Sequence, residues 1–301
     1  MAQSTAVKTY DAVGNREDLT DYISTITRHE TPLYSGLQKT KAYARLHEWQ
    51  TDSLSTGNAN AQIEGADFSF AIPASRSRLN NNTQIFTKTL EVSRTQDVVS
   101  KAGLDEEFAY QMSKRMKEIA TDIEEALITG TGNSGASGTA RELEGILSFI
   151  ETNVETGTGT ASESLSEDMY NDLLQAIWDE GGRPDTTYVN GYQKRKISSF
   201  SSNNQRYIQM DDESKLKNSV AVYESDFGMQ RIELDPFMDA DKVMALQKDL
   251  WAVAVLDGLK PVDVAKVGDS KRGAIVTELT LEARNEKGSG KVTGLTTSGA
   301  I

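Results

Sequence analysis

Apolar side chains recur at intervals of four and three between Leu104 and Thr129, at Phe108, Met112, Met116, Ile119, Ile123 and Leu127. That period is one face of an α-helix, so the pattern predicts a helix of about 25 residues, roughly 37 Å long. Asp105, Glu106 and Glu107 suit its first turn, where the helix dipole favours negative charge, and Gly130 can end it at C′. Methionines on such a stripe are core fillers rather than cofactor contacts. The helix reads as a spine on which other elements hang.

Period-two alternation predicts strands at Tyr43 to Trp49 and Gln84 to Val92. In the second, Phe86, Lys88, Leu90 and Val92 share one face and Ile85, Thr87, Thr89 and Glu91 the other, so neither side is wholly apolar. Between the two runs lies a long polar stretch containing Thr56-Gly57-Asn58-Ala59-Asn60, Gly65-Ala66-Asp67 and Asn80-Asn81-Asn82. A connection of that length is uncommon inside a compact domain. It is expected to be an extended two-stranded arm that leaves the body. Upstream, Asn15 can cap a short helix with Glu17 and Asp18 in its first turn and Leu19, Tyr22, Ile23 and Ile26 along one face. Pro32 stops helix continuation, and Thr31 to Leu37 reads as an extended tether with apolar anchors.

Beyond the spine helix, Gly130 to Gly138 reads as a flexible stretch, Glu144 to Ile150 as a strand or turn, and Thr156-Gly157-Thr158-Gly159-Thr160 as a domain boundary. Ser166 then caps a helix whose Met169, Leu173, Ile177 and Trp178 share a face, and Gly181-Gly182 ends it. Thr186 to Val189 suits a buried strand and Gln193 to Phe200 a basic helix. The last third predicts strands at Ser219 to Tyr223, Gln230 to Leu234, Lys242 to Leu246, Leu250 to Leu256 and Ala274 to Arg284. No internal repeat of fixed period is present.

Among the 301 residues are 45 acidic and 32 basic side chains, giving a net charge of -13, with two histidines and no cysteine. Without cysteine there is no disulfide framework, no Cys-ligated metal and no thiol nucleophile. The longest apolar run, Trp251 to Leu256, is far short of the ~20 residues of a membrane helix, and the N-terminus lacks the pattern of an export signal, so a soluble protein is expected. Aliphatic and aromatic residues with Gly but without Tyr make up about 41%, slightly lean against the usual ~45–50%, which points to segments that do not pack into the chain's own core. The acidic balance argues against tight or sequence-reading nucleic-acid binding, which needs clustered Lys and Arg.

No constellation for catalysis or metal binding emerges. The Gly130–Gly138 stretch follows a helix and lacks the Gly-Lys-Ser/Thr ending of a phosphate loop. His29 and His47 lie outside any ligand spacing and are expected to be solvated or at interfaces. Gly268-Asp269-Ser270 resembles the nucleophile block of one lipase class, but it stands near the wrong end of the chain; a Ser270-dependent hydrolase is the weaker alternative. Asp235, Asp239 and Asp241 read as a solvated turn, because Phe237 and Met238 break the calcium-loop pattern. Lys194-Arg195-Lys196 is the three-residue basic cluster, suited to acidic patches of another subunit.

The order of parts is similar to that of tailed-phage major capsid proteins of the Hong Kong 97 fold, over nearly the whole chain. The resemblance is carried by Glu30-Thr31-Pro32-Leu33, Glu48-Trp49-Gln50-Thr51-Asp52, Glu64-Gly65, Ile123 to Gly130, Tyr223 to Gly228, Gly268-Asp269-Ser270 and Glu278 to Asn285. It implies an α+β fold with an N-terminal arm (1–45), an extended loop (46–92), a peripheral domain with the spine helix (93–160), an axial domain (161–262) and a C-terminal strand returning to the peripheral domain (263–301). It further implies a shell subunit assembling with itself into pentamers and hexamers of an icosahedral or prolate head around double-stranded DNA. A portal protein would be a partner, with scaffolding and decoration proteins as further candidates, no membrane, no cofactor and no catalytic centre. The location would be the virion, after assembly in the host cytoplasm. An encapsulin-like compartment shell shares the fold and is the alternative. Expected inter-subunit contacts are Trp49, Glu64, Asp67, Arg76, Arg78 and Lys88 of the loop, with Lys194, Arg195 and Lys196.

Overall fold

The computed structural model describes residues 30–298 except 53, 55–56, 58, 66, 68–69, 71–74, 100–105, 158–162, 201–220 and 266–267. The helix expected after Asn15, and His29, lie outside the described residues. The first half of the described chain forms α1 (Pro32–Gly36), β1 (Gln38–Lys41), β2 (Leu46–Thr51), β3 (Ser77–Asn82), β4 (Gln84–Ser93), α2 (Arg94–Val98), α3 (Glu107–Thr129), β5 (Thr131–Asn133), β6 (Glu142–Glu144), α4 (Ile146–Phe149) and β7 (Val154–Thr156). The second half forms α5 (Glu167–Asp179), β8 (Thr186–Val189), α6 (Gly191–Phe200), β9 (Val222–Ser225), β10 (Gly228–Leu234), β11 (Val243–Leu246), β12 (Trp251–Asp263), β13 (Ser270–Ala283) and β14 (Gly290–Thr293).

The spine helix α3 follows its sequence pattern where it is covered. Ile119, Ile123, Leu127 and Ile128 are buried, and the helix packs on β4 and β13. Near its start Phe108 and Met112 lie over Gly273 of β13, where a Cβ would meet their ring and methyl carbons at 2.8 and 2.9 Å. Met116, on the same stripe, is 38% exposed. Gly130 ends the helix, but with φ of -51° rather than in the left-handed conformation. Its small size is needed for approach: a Cβ would stand 2.5 Å from the Leu143 carbonyl and 2.6 Å from that of Ala126.

β4, β13, β12 and β1 form one sheet in the order β1-β12-β13-β4, with β1 parallel to β12 and the other neighbours antiparallel. In β4 the alternation holds: Phe86, Leu90 and Val92 are buried and Lys88 half-buried, while Ile85, Thr87, Thr89 and Glu91 face out. β12 and β13 are longer than their apolar runs predicted, because their hairpin continues past the core, β12 with exposed residues from Gly258 to Val262 and β13 paired with β4 beneath Phe108 and Met112. A second sheet, ordered β7-β14-β11-β8-β10-β9, carries β8 and β11 at its centre, both buried at every residue. Two apolar clusters result, one between α3 and the first sheet and one between α5, α6 and the second.

Four local expectations are corrected. Thr31 to Leu37 is not an extended tether: Pro32 starts α1, at the first-turn position where a missing N–H costs nothing. Gly130–Gly138 is not a loose linker: β5 pairs antiparallel with β6, and Gly132 and Gly135 take the positive φ that the hairpin requires. Glu144 to Ile150 is the end of β6 followed by α4, not one strand. In α5, capped by Ser166 as expected, Tyr170, Leu173, Leu174 and Ile177 are buried, whereas Trp178, one helical step beyond Ile177, is 56% exposed and rests on Phe227. No described helix is long and apolar enough to cross a membrane.

Candidate subunit interface

β2 and β3 pair from Leu46↔Asn82 to Thr51↔Ser77 as an antiparallel ribbon, but β3 lies inside the expected polar connection, and the second expected strand, Gln84 to Val92, is β4 of the body sheet, paired with β13. Its root is bonded to the body by polar side chains. Asn81 is buried and uses its whole amide, donating to the carbonyls of Glu144 (3.0 Å) and Leu281 (2.9 Å) and accepting from the Glu144 N–H (2.9 Å). Arg141 donates to the Thr83 carbonyl at 2.7 Å and pairs with Glu278, which also accepts the Thr83 hydroxyl. Trp49 donates its indole N–H to the Ala283 carbonyl at 2.6 Å and meets the rings of His47 and Phe149; Phe149 in turn abuts the buried Trp251. An aromatic chain thus runs from ribbon to core.

His47 is not solvated: its Nε2 lies 3.1 Å from Glu282 Oε2, while Arg284 holds the other oxygen at 3.0 Å. Burial works to raise the Glu282 pKa, but the bonds from Arg284 and His47 outweigh it and leave the group below its ordinary value. Farther along the ribbon the contacts thin out. Arg78 to Glu48 (3.6 Å) and Arg76 to Asp52 (3.8 Å) are exposed pairs, each worth about 0–1 kcal/mol. Glu64 and Asp67 are exposed beyond them. The same stretch carries Leu54, Ile63 and Phe70 at 98, 84 and 93% exposure.

The other expected contact residues divide. Lys88 pairs with Asp122 of the spine helix at 2.6 Å. Lys194 is turned inward, its ammonium donating to the Ile232 carbonyl at 2.9 Å, and burial lowers its pKa. Arg195 is exposed and Lys196 half-buried. Three consecutive charges therefore do not make one surface cluster, because successive helix residues point about 100° apart.

Nothing at the weighed chemical motifs assembles a catalytic site. Ser270 gives its hydroxyl hydrogen to Glu91 at 2.6 Å, and Asp269 is engaged by Arg94 at 2.7 Å. Glu91 is held below its ordinary pKa by Ser270 and Arg272, so it stays an acceptor in an ion pair rather than a base for Ser270. Among the described residues no group of three or more His, Asp or Glu side chains could hold a metal.

Of the three aspartates read as a solvated turn, Asp239 is so used, pairing with Lys242 at 2.6 Å. Asp235 is buried, and so is Glu124 of the spine helix. Sequence reasoning missed both. The only signal is that Glu124 adjoins Ile123 on the apolar stripe and is followed four residues later by the buried Ile128.

The sequence matches the SU10 major capsid protein family over residues 4–296. The major capsid protein of Escherichia phage Phieco32 is 23% identical, with 96% of this chain and 97% of that protein aligned. In three dimensions the chain resembles the capsid asymmetric unit of cyanophage A-1(L), with a TM-score of 0.74 at 12% identity over 97% of this chain and 99% of that one. It also resembles the subunit of a holo encapsulin complex from Synechococcus elongatus, with a TM-score of 0.60 at 11% identity over 96 and 95%. The fold is thus that of Hong Kong 97-like capsid proteins, with its α+β mixture of spine helix, sheets and rooted arm. The chain belongs to the SU10 major capsid protein family and is a subunit of a phage capsid shell.

Proposed function

We propose that the subunit assembles into pentamers and hexamers of a closed icosahedral or prolate head around double-stranded DNA, acting as a structural protein without catalysis. Of the arm (46–92), the part beyond the β2–β3 root lies across a neighbouring subunit, β4 (84–93) staying in the body sheet; the axial domain (161–262) gathers at the five- and six-fold axes, and the peripheral domain (93–160), N-terminal arm (1–45) and returning strand (263–301) complete the wall. The observation that carries this reading is the arm itself. Its root is saturated with intrachain bonds, yet Leu54, Ile63 and Phe70 beyond it are uncovered. A partner laid over such an arm would bury these side chains, each contributing roughly 1.5–3 kcal/mol. Repetition around symmetry axes multiplies such modest contacts.

The net charge of -13 suits a wall that encloses DNA without gripping it. A portal protein at one vertex, scaffolding and decoration proteins, and assembly in the host cytoplasm before incorporation into the virion complete the proposal. Electron microscopy of purified protein should show closed shells or capsomers; a monomer at all concentrations would sink it. Protease should cut 57–82 in free subunits and spare it in shells, and equal cleavage would contradict the arm contact. The likeness to an encapsulin supports a second reading, a compartment shell, and the nucleic-acid content of isolated particles separates the two.

A further inference from the structure

Two carboxyl groups are buried where α1 meets the spine helix. Glu124 is fully buried and accepts the backbone N–H groups of Leu33 and Tyr34, one on each carboxyl oxygen, at 2.7 Å. These are first-turn N–H groups of α1, which has no side-chain cap of its own. The carboxyl of Asp235, from the turn after β10, lies against that of Glu124. One of its oxygens accepts from the Phe237 N–H at 2.9 Å, and the other, Oδ2, receives no hydrogen bond among the described residues. Neither carboxyl makes a salt bridge among those residues. The only arrangement that satisfies Oδ2 within the pair is a proton between it and Glu124.

We propose that Glu124, Asp235 and the first turn of α1 form a proton-dependent clasp, which holds the N-terminal arm on the spine helix and releases it as pH rises. Two adjacent buried carboxylates cannot both ionise cheaply, so the pair keeps one proton that belongs to the two jointly. The surroundings deepen the effect. Tyr188 of β8 presents a buried hydroxyl with no partner among the described residues; Glu233 of β10 adds negative charge beside Asp235, and Asp185, just before β8, lies near Tyr188. The neighbouring cations are engaged at the rim: Lys248 lies over the Tyr188 ring and 3.6 Å from Glu233, Arg231 is 3.0 Å from Glu233, and Lys39 sits over the Tyr34 ring. Burial pushes Glu124 up to about 8, opposed by the two N–H bonds and reinforced by the charge of Asp235.

The sign follows from linkage. In the open state Glu124 titrates near its ordinary 4.5 and in the closed state near 8, so opening releases a proton between those values. Below 4.5 the closed clasp is pH-independent; from there to about 8 the open fraction grows by up to about tenfold per pH unit, then levels off. Leu33 and Leu37, both buried, leave the core when it opens.

The test is hydrogen–deuterium exchange of the peptide spanning 32–37 in the full-length unassembled subunit, corrected for intrinsic exchange chemistry, so its outcome does not depend on shell formation. Protection should fall by at least about tenfold between pH 5 and pH 8. In Asp235→Asn the Asp235 charge is removed but the burial of Glu124 is not, so protection should fall less between pH 5 and pH 8 than in the wild type. Glu124→Gln supplies one acceptor and no charge, so protection should be lower at pH 5 and flat across the range. Unchanging protection in the wild type, or a wild-type slope in either variant, overturns the clasp.

Discussion

The two ends of one ribbon differ in what they leave unpaired. At its root, polar side chains are buried and bonded: Asn81 meets three backbone groups, His47 meets Glu282, and Trp49 reaches the Ala283 carbonyl. Beyond Thr51, polar residues stand in water and the large apolar ones, Leu54, Ile63 and Phe70, stand there with them. The root is finished within the subunit, whereas the far end is chemically incomplete until another chain covers it. Stability and assembly are therefore assigned to different stretches of the same arm, and substitutions should separate them.

The largest effect is expected from Leu54→Ser, Ile63→Ser and Phe70→Ser combined. Each covered apolar side chain contributes roughly 1.5–3 kcal/mol, repeated in every subunit, so shells should be lost in electron micrographs. Urea unfolding of the free subunit should shift by less than about 0.5 kcal/mol, since surface positions without partners contribute little. Normal shells from the triple variant would remove the far end from the assembly surface. Trp49→Ala should do the opposite, destabilising the subunit itself by about 2–4 kcal/mol through a lost indole bond and a gap in the aromatic chain. A free-subunit stability equal to wild type would place the root outside the folded unit.

The ribbon was legible in part: the alternating run ending at Trp49 supplies β2, but β3 lies inside the polar stretch, and the second alternating run is β4 of the body sheet. What binds its root was not, since Asn81 finds its partners 63 and 200 residues away in sequence. The same holds for α1. Its helix is set by Pro32 at the first turn and by Glu124, whose carboxyl lies 91 positions downstream of Leu33, so the local string read as an extended tether. Periodicity served α3 and β8 well, because burial there follows from each element's own pattern. It failed for Lys194 and Trp178, where one helical step turned a charge inward and an indole outward.

Acid should act on the root and the clasp in opposite senses. The Glu282 pKa is depressed, so its contribution to stability is present above the ordinary 4.5 and is lost as pH falls through the folded value. Glu124, raised to about 8, loses its contribution as pH rises instead. Exchange measured on peptides covering 46–51 should accelerate below pH 4.5 while the 32–37 peptide, fully closed there, keeps its protection and loses it only as pH rises toward 8, and Glu282→Gln should abolish the first change alone. Parallel responses of the two peptides would show a single opening event for both.

The smallest effect belongs to the charges between these regions. Arg78 and Glu48 approach at 3.6 Å with most of the arginine in water, so the pair gains little Coulomb energy and loses side-chain freedom. Arg78→Ala should change free-subunit stability by no more than about 0.5–1 kcal/mol, and that difference should vanish in 1 M salt, where the screening length falls to about 3 Å. A larger, salt-resistant loss would mean that the bonded root extends beyond Thr51. A normal free subunit combined with defective shells would instead assign Arg78 to the neighbour, moving the division between stability and assembly back into β3.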